Sequence, residues 1–214
     1  MNAEFIDYPD RQSWLEGRKN TLGASEVACV LGMGFITPQE LFEIKTRKKE
    51  AADLSKNDRV RYGVEAEEHL RALFALQNKY DYEVEFYPYR IYKNSKYPFL
   101  SCTLDGELTR IDDGAKGVLE IKTAWINSKR ELEEWNNRIP QKYFCQILSQ
   151  AKITNAKFMI LLAQLIFSDG NSEIRKYKVE LAEVEADAKY LIEECAKFWK
   201  YVENNNPPPT RLML

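Results

Sequence analysis

A chain of 214 residues, 44% hydrophobic and 12% aromatic, can bury one sizeable core and reads as a single domain over residues 1–214. Its formal net charge of −2 excludes a strongly basic molecule that coats nucleic acid without specificity, so any polyanion site must be local. Cys29, Cys102, Cys145 and Cys195 form no C-x-x-C pair, which argues for buried thiols rather than a zinc or iron–sulfur site; with no bilayer-length apolar run and no signal-peptide pattern, a cytoplasmic location and no membrane partner are expected.

From Asp10 to about Gly32 two short helical patterns are interrupted by "NTLGASE", which places Ser25 at a helix N-terminus. Pro38 starts the next helix, "PQELFEIKTRKK". The loop after it, residues 45–61, is the most basic window, with Lys45, Arg47, Lys48, Lys49, Lys56, Arg59 and Arg61 against Glu50, Asp53 and Asp58. Such a patch is as often a solvated face as a nucleic-acid contact. A helix is expected over 62–78, with Val64, Leu70, Leu73, Phe74 and Gln77 on its inner side and Glu67 and Glu68 ahead of the apolar run. His69 has no ligand-spaced partner and reads as a surface or packing residue.

The period then changes. "YEVEFYPYRIYK" and "YPFLSCTLDGELTRI" read as antiparallel strands, and "DDGAKG" turns into the strand "VLEIKTAW". Two helices follow in "SKRELEEWNNR" and "PQKYFCQILSQAKI", then a hairpin joined at "SDGNS", then a C-terminal helix stopped by Pro207 to Pro209. This order predicts an α/β chain of the α+β type, a central mixed sheet flanked by helices. Trp125 and Trp135 are of a type that can stack on bases, but tryptophans beside an apolar strand and on an amphipathic helix are usually core, and both are expected there.

Along "VLEIKTAW" side chains alternate, so Glu120 and Lys122 look into the same space. Alone, such a pair is a structural ion pair. Asp105, 15 residues upstream of Glu120 in "LSCTLDGEL", is at the separation that an antiparallel pair would bring beside it. Adjacent carboxylates repel, a divalent cation relieves that repulsion, and oxygen ligands suit Mg²⁺ or Mn²⁺. A cation there, with Lys122 to position a nucleophile, is a donor set for phosphodiester hydrolysis.

Asp105 followed by Glu120-Ile121-Lys122 resembles the split D…(D/E)xK signature of the PD-(D/E)XK nuclease superfamily. Four further stretches are similar to one branch of it, the lambda exonuclease and YqaJ-like viral recombinase family: "SWLEGRKNTLGASEVACVLGMG", "YGVEAEEHLRALF" with Gly63 and Glu67 in register, "PQKYFCQILSQAKIT" with Tyr143, Gln146 and Gln150, and "FWKYVENNNPPP". Five elements in order are far more specific than any one. The resemblance implies a restriction-endonuclease-like core. It implies Glu67, Asp105 and Glu120 as side-chain metal ligands, the Ile121 carbonyl as a further ligand, Lys122 as the catalytic lysine and Gln146 as an active-site residue. Arg18 and Ser25 match the family's pocket for the 5′-phosphate of a DNA end, a chemistry that a guanidinium and a hydroxyl at a helix start also suit.

The implied activity is a Mg²⁺-dependent exonuclease that resects linear double-stranded DNA 5′ to 3′, in a homotrimer, with a single-strand annealing protein as partner in phage-type recombination. Two alternatives remain at this point: an endonuclease or repair nuclease, and a non-catalytic DNA-end-binding module on the same fold. Arg18 could also simply lie on Trp14, four residues before it.

Overall fold

The computed structural model describes residues 3–209, and these build two sheets joined at the site. Before the site-bearing strands come β1 (Glu4–Asp7), α1 (Arg11–Arg18), β2 (Leu22–Gly23), a 3-10 turn (Ala24–Glu26), α2 (Val27–Val30), α3 (Pro38–Lys45) and α4 (Asp58–Gln77). Next are β3 (Tyr82–Glu85), β4 (Arg90–Lys93), β5 (Leu100–Cys102), β6 (Gly106–Arg110) and β7 (Lys116–Ile126). The chain closes with α5 (Lys129–Glu133), α6 (Gln141–Thr154), β8 (Phe158–Phe167), β9 (Ser172–Glu180) and α7 (Glu185–Glu203).

Local chemistry sets the helix ends. Asp10 accepts from the Ser13 N–H at 2.8 Å, Thr37 accepts from Glu40 N–H with Pro38 in the first turn, and Ser128 and Glu131 cap each other's backbone across α5. Asn57 caps α4, so that helix begins four residues earlier than its apolar pattern shows, and Arg59 and Arg61 belong to it rather than to the basic loop. Val64, expected on the inner face, is 70% exposed; Leu70 and Phe74 carry the packing.

The larger sheet runs β3-β6-β7-β8-β9, with β7 and β8 parallel and the other pairs antiparallel; it is mixed, as expected. The smaller sheet runs β1-β4-β5-β2. "YEVEFYPYRIYK" and "YPFLSCTLDGELTRI" are therefore not one strand each. Each splits between the sheets, and the chain crosses over at residues 86–89 and returns at residues 103–105.

Alternation along β7 and β8 sorts the core into two clusters. Leu119 and Ile121 with Phe158, Ile160 and Leu162 meet Leu70 and Phe74 of α4. On the other face, Val118 with Met159, Leu161 and Ala163 meets α6, α7 and α2. All four cysteines are buried and free, Trp135 is core, and His69 is exposed. No helix among the described residues is long and apolar enough to cross a membrane.

Phe158 anchors the smaller cluster: it is fully buried, its ring centroid is 5.5 Å from that of Tyr82, and a Cβ on Gly117 would come within 2.4 Å of it. Phe158→Ala is expected to lower the unfolding free energy by about 3–5 kcal/mol in urea titration, because this close packing leaves a cavity behind. A loss below about 1 kcal/mol would mean that α4 is not held through this cluster.

Candidate active site

The last backbone pairing between β6 and β7 is Gly106 with Leu119. One step further along that register places Asp105 against Glu120, and Asp105 Oδ2 accepts the Ile121 N–H at 2.7 Å. The N–H and C=O of one strand residue leave the same edge, so the Ile121 carbonyl also faces the gap where β6 has ended. Its side chain, only 6% exposed, packs under α4.

Glu120 and Lys122 point to the opposite face, toward α6. Glu120 is 2% exposed, and both its oxygens are occupied. Oε1 accepts from Lys122 Nζ and from Gln146 Nε2, the latter at 2.5 Å, and Oε2 accepts from Gln150 Nε2. Gln150 Nε2 also donates to the Thr103 carbonyl at 3.0 Å, while its own Oε1 is buried with no hydrogen-bond partner. Burial works against the charge on Lys122, but Glu120 and Asp105 outweigh it and hold its pKa above the ordinary lysine value, so it is an ammonium.

Glu67 reaches the same cleft from α4, whereas Glu65 and Glu68 are exposed. α4 approaches β7 closely at Gly63, where a Cβ would lie 3.1 Å from Thr123 Oγ1. Arg71, one turn on, donates to Glu67 Oε1 at 3.1 Å and to the Asp105 carbonyl at 2.9 Å, and its guanidinium lies 3.6 Å from the Phe86 ring centroid. Burial raises the Glu67 pKa against the pull of Arg71. It raises that of Asp105 well above the usual carboxylate range, with the charges of Glu120 and Glu67 adding to the shift.

Three mutually repelling carboxylates and a strand carbonyl are hard oxygen donors, and in chemistry this set fits Mg²⁺ or Mn²⁺. The side chains are nonetheless committed to protein partners: among the described residues no three His, Cys, Asp or Glu groups converge as a ready ligand cluster.

The cleft above them has a volume of about 470 Å³. Trp125, expected in the core, lines it instead, in edge contact with Tyr62 at 5.3 Å. Arg18 and Ser25 are not among its lining residues. Arg18 lies on Trp14, its guanidinium 4.6 Å from the ring centroid. Burial lowers its pKa, opposed by the charges of Glu26, Glu120 and Asp105, so it sits within electrostatic reach of the carboxylates. Ser25 is exposed in the 3-10 turn before α2 rather than at the start of an α-helix. That turn is braced from within: Lys45 Nζ pairs with Glu26 Oε2 at 2.7 Å and donates to the Thr21 carbonyl, and Glu26 accepts the Gly23 N–H.

The sequence assigns no site role to two residues that hold the site: Gln150 stands there only as a motif position, and Arg71 is unmarked. Gln150 lies in the same helical motif as Gln146, one turn further on, a spacing that puts both on one face. Arg71 stands at the i+4 position from Glu67, which is itself the signal for such a pair.

Comparison with known proteins places this arrangement. A family model, the YqaJ-like viral recombinase domain, matches residues 13–157, a span that holds Arg18, Glu67, Asp105, Glu120, Lys122 and both glutamines. The chain belongs to that family.

No curated protein matches it in sequence. Among solved structures, the alkaline exonuclease LHK-Exo from Laribacter hongkongensis superposes with a TM-score of 0.63 at 17% identity, over 91% of this chain and 96% of the other. It has also been solved in complex with dAMP. A phage-related exonuclease from Haemophilus somnus 129PT gives 0.55 at 11% identity, over 86% and 96% of the two chains. A SOX–DNA complex gives 0.52 at 11% identity, over 88% and 66%. These likenesses show that the chain shares the fold of these proteins, the restriction-endonuclease-like core of a mixed sheet flanked by helices that was expected.

In this YqaJ-family chain the raised pKa of Asp105 has a stability consequence. A carboxyl whose pKa is higher folded than unfolded costs stability as it ionises, from the ordinary carboxylate value upward through its folded pKa. Asp105→Asn keeps an acceptor for the Ile121 N–H and removes the charge. In EDTA at pH 8 it is expected to melt above the wild type, with the gap closing as the pH falls toward about 4. Equal melting temperatures across that range would show that Asp105 carries no such cost.

Proposed function

We propose that this chain is a metal-dependent exonuclease that resects linear double-stranded DNA 5′ to 3′. The observation that carries the reading is the meeting of Asp105, Glu120 and Lys122 at the unpaired end of β6, in a chain of the YqaJ family. Support comes also from the fold's relatives, one of which is solved with dAMP and another with DNA.

Glu67, Asp105, Glu120 and the Ile121 carbonyl would hold Mg²⁺, with Mn²⁺ as a substitute. When bound, such an ion supplies charge to a phosphoryl oxygen and lowers the pKa of water. The chain's own residues do the rest. Lys122 is an ammonium with a fixed position beside Glu120, suited to orienting the attacking oxygen and stabilising the charge that builds on the phosphate, not to taking a proton. Gln146 and Gln150 fix the Glu120 carboxylate so that it does not swing with its partners. Arg18, with Ser25 from the neighbouring turn, would hold the terminal 5′-phosphate, and the Arg18 charge within reach of the carboxylates supports a terminus lying near the cleavage site. Assembly as a homotrimer and work beside a single-strand annealing protein in the cytoplasm complete the proposal.

Digestion of end-labelled linear duplex in Mg²⁺ tests it. Lys122→Ala and Asp105→Ala are each expected to slow hydrolysis by a factor of about 10² or more. Arg18→Ala is expected to abolish the difference in rate between 5′-phosphorylated and 5′-hydroxyl ends. Undiminished hydrolysis in both Lys122→Ala and Asp105→Ala would remove the proposed site.

A further inference from the structure

The cations deep in the site are spoken for: Lys122 is paired with Glu120 and Arg71 with Glu67. Two cations at the mouth of the same cleft are not. Arg59, in the first turn of α4, has its guanidinium 5.4 Å from the Trp125 ring centroid, and Trp125 is braced edge-on by Tyr62. Lys142, in the first turn of α6, has its Nζ 4.6 Å from the ring centroid of Phe35 and 5.0 Å from that of Tyr143. Among the described residues neither Arg59 nor Lys142 makes an ion pair, and Phe35 is 77% exposed.

The two groups stand on different faces of the sheet. Trp125 follows Leu119 and Ile121 in the strand's alternation and so lies on the α4 face, while Lys142 belongs to the helix packed over Glu120 and Lys122. Both line the cleft that holds Glu67, Asp105 and Glu120. The acids at the rim are Glu131, whose carboxylate accepts the N–H groups of Asn127 and Ser128, and Glu134, which is exposed.

An unneutralised cation resting on an aromatic ring offers a charge for a phosphate and a flat face for a base, the combination by which single strands are held without regard to sequence. We propose that Arg59–Trp125 and Lys142–Phe35 form a two-sided clamp that grips the strand being degraded on either side of the scissile phosphate, separately from the Arg18 pocket. This rests on the nuclease reading above. The clamp favours an unpaired strand, because a ring can stack only on a base whose face is free. Glu134 opposes it from the rim.

Fluorescence anisotropy of a fluorescein-labelled oligothymidylate, in EDTA and over a range of salt, reads the clamp without turnover. Arg59→Ala and Lys142→Ala are each expected to weaken binding about 5- to 10-fold and to flatten the plot of log affinity against log salt by about 0.7, one phosphate contact each. Lys142→Arg is expected to keep the slope. Trp125→Leu should weaken binding about tenfold with the slope unchanged, and Glu134→Gln should strengthen it. Lys189→Ala, on the exposed side of α7, is the charge-matched control and should match wild type. Melting curves confirm that each variant is folded. Arg59→Ala and Lys142→Ala behaving like Lys189→Ala, or a wild type that does not bind the oligonucleotide, would overturn the clamp. Mg²⁺ digestion of linear duplex separates this from the broader reading: normal digestion with either of those results sinks the clamp alone. Clamp-dependent binding with no digestion upholds the clamp and sinks the nuclease reading.

Discussion

A carboxylate that is 2% exposed cannot stay charged within a sheet unless its oxygens are fully bonded, and the way Glu120 meets that requirement dictates the rest of the site. Lys122 comes from the same strand, two residues on, and supplies the opposing charge. Gln146 and Gln150 come from α6, and because they are one helical turn apart they can both reach Glu120 only if that face of α6 lies over β7. The rotation of α6 is thereby fixed, and with it the placement of Tyr143 and Lys142 beside the cleft. Gln150 also grips the Thr103 carbonyl, in the crossover that carries Asp105. One buried charge thus ties together strand, helix and crossover.

The opposite face of β7 is held by a different force. Leu119 and Ile121 are covered by Leu70 and Phe74, so α4 is placed by apolar packing, and Glu67 is delivered to the cleft as a consequence of that packing. Arg71 closes the circuit: its Nη1 donates to both Glu67 and the Asp105 carbonyl, with Phe86 against its guanidinium. The carboxylates therefore gather where β6 stops and β7 continues, a sheet edge that leaves the Ile121 carbonyl unpaired by β6. A strand end that meets the two glutamines of α6 on one face and the apolar contacts of α4 on the other brings acidic side chains together without burying them all in the core.

The site was legible where a local rule determines a long-range contact. The period of two in "GVLEIKTAW" separates Glu120 and Lys122 from Ile121, and an antiparallel register makes the 15-residue step to Asp105 meaningful; both are realised in the register of β6 and β7. The helical repeat in "PQKYFCQILSQAKIT" likewise sets Gln146 and Gln150 on one face. What was not legible is which sheet a strand joins. Nothing in "YEVEFYPYRIYK" marks the change of sheet after Glu85, because propensity describes a pleated surface and not its partner. The two-residue β2 and the four-residue β1 exist only because β5 and β4 receive them. Trp125 misled for a related reason. An aromatic residue on a strand is usually core, but β7 runs past the end of β6, and Trp125 sits on that overhang.

The smaller sheet, which no local signal foretold, controls the geometry between the two proposed subsites. Arg18 ends α1 and leads directly into β2, and β2 pairs in parallel with β5, whose next residues are the crossover to Asp105. Thr21 and Ser101, across that pair, bond through their hydroxyls at 2.6 Å, and Lys45 pins the turn that follows through Glu26 and the Thr21 carbonyl. From Arg18 to Asp105 the path is thus a short run of paired and internally bonded backbone, with no long loop in it. If Arg18 holds a strand's terminal phosphate and Asp105 stands at the bond to be cut, their separation is set by this small sheet. Loosening Lys45 or Thr21 would then disturb the register of cleavage before it disturbed the chemistry, because neither residue touches the carboxylates themselves.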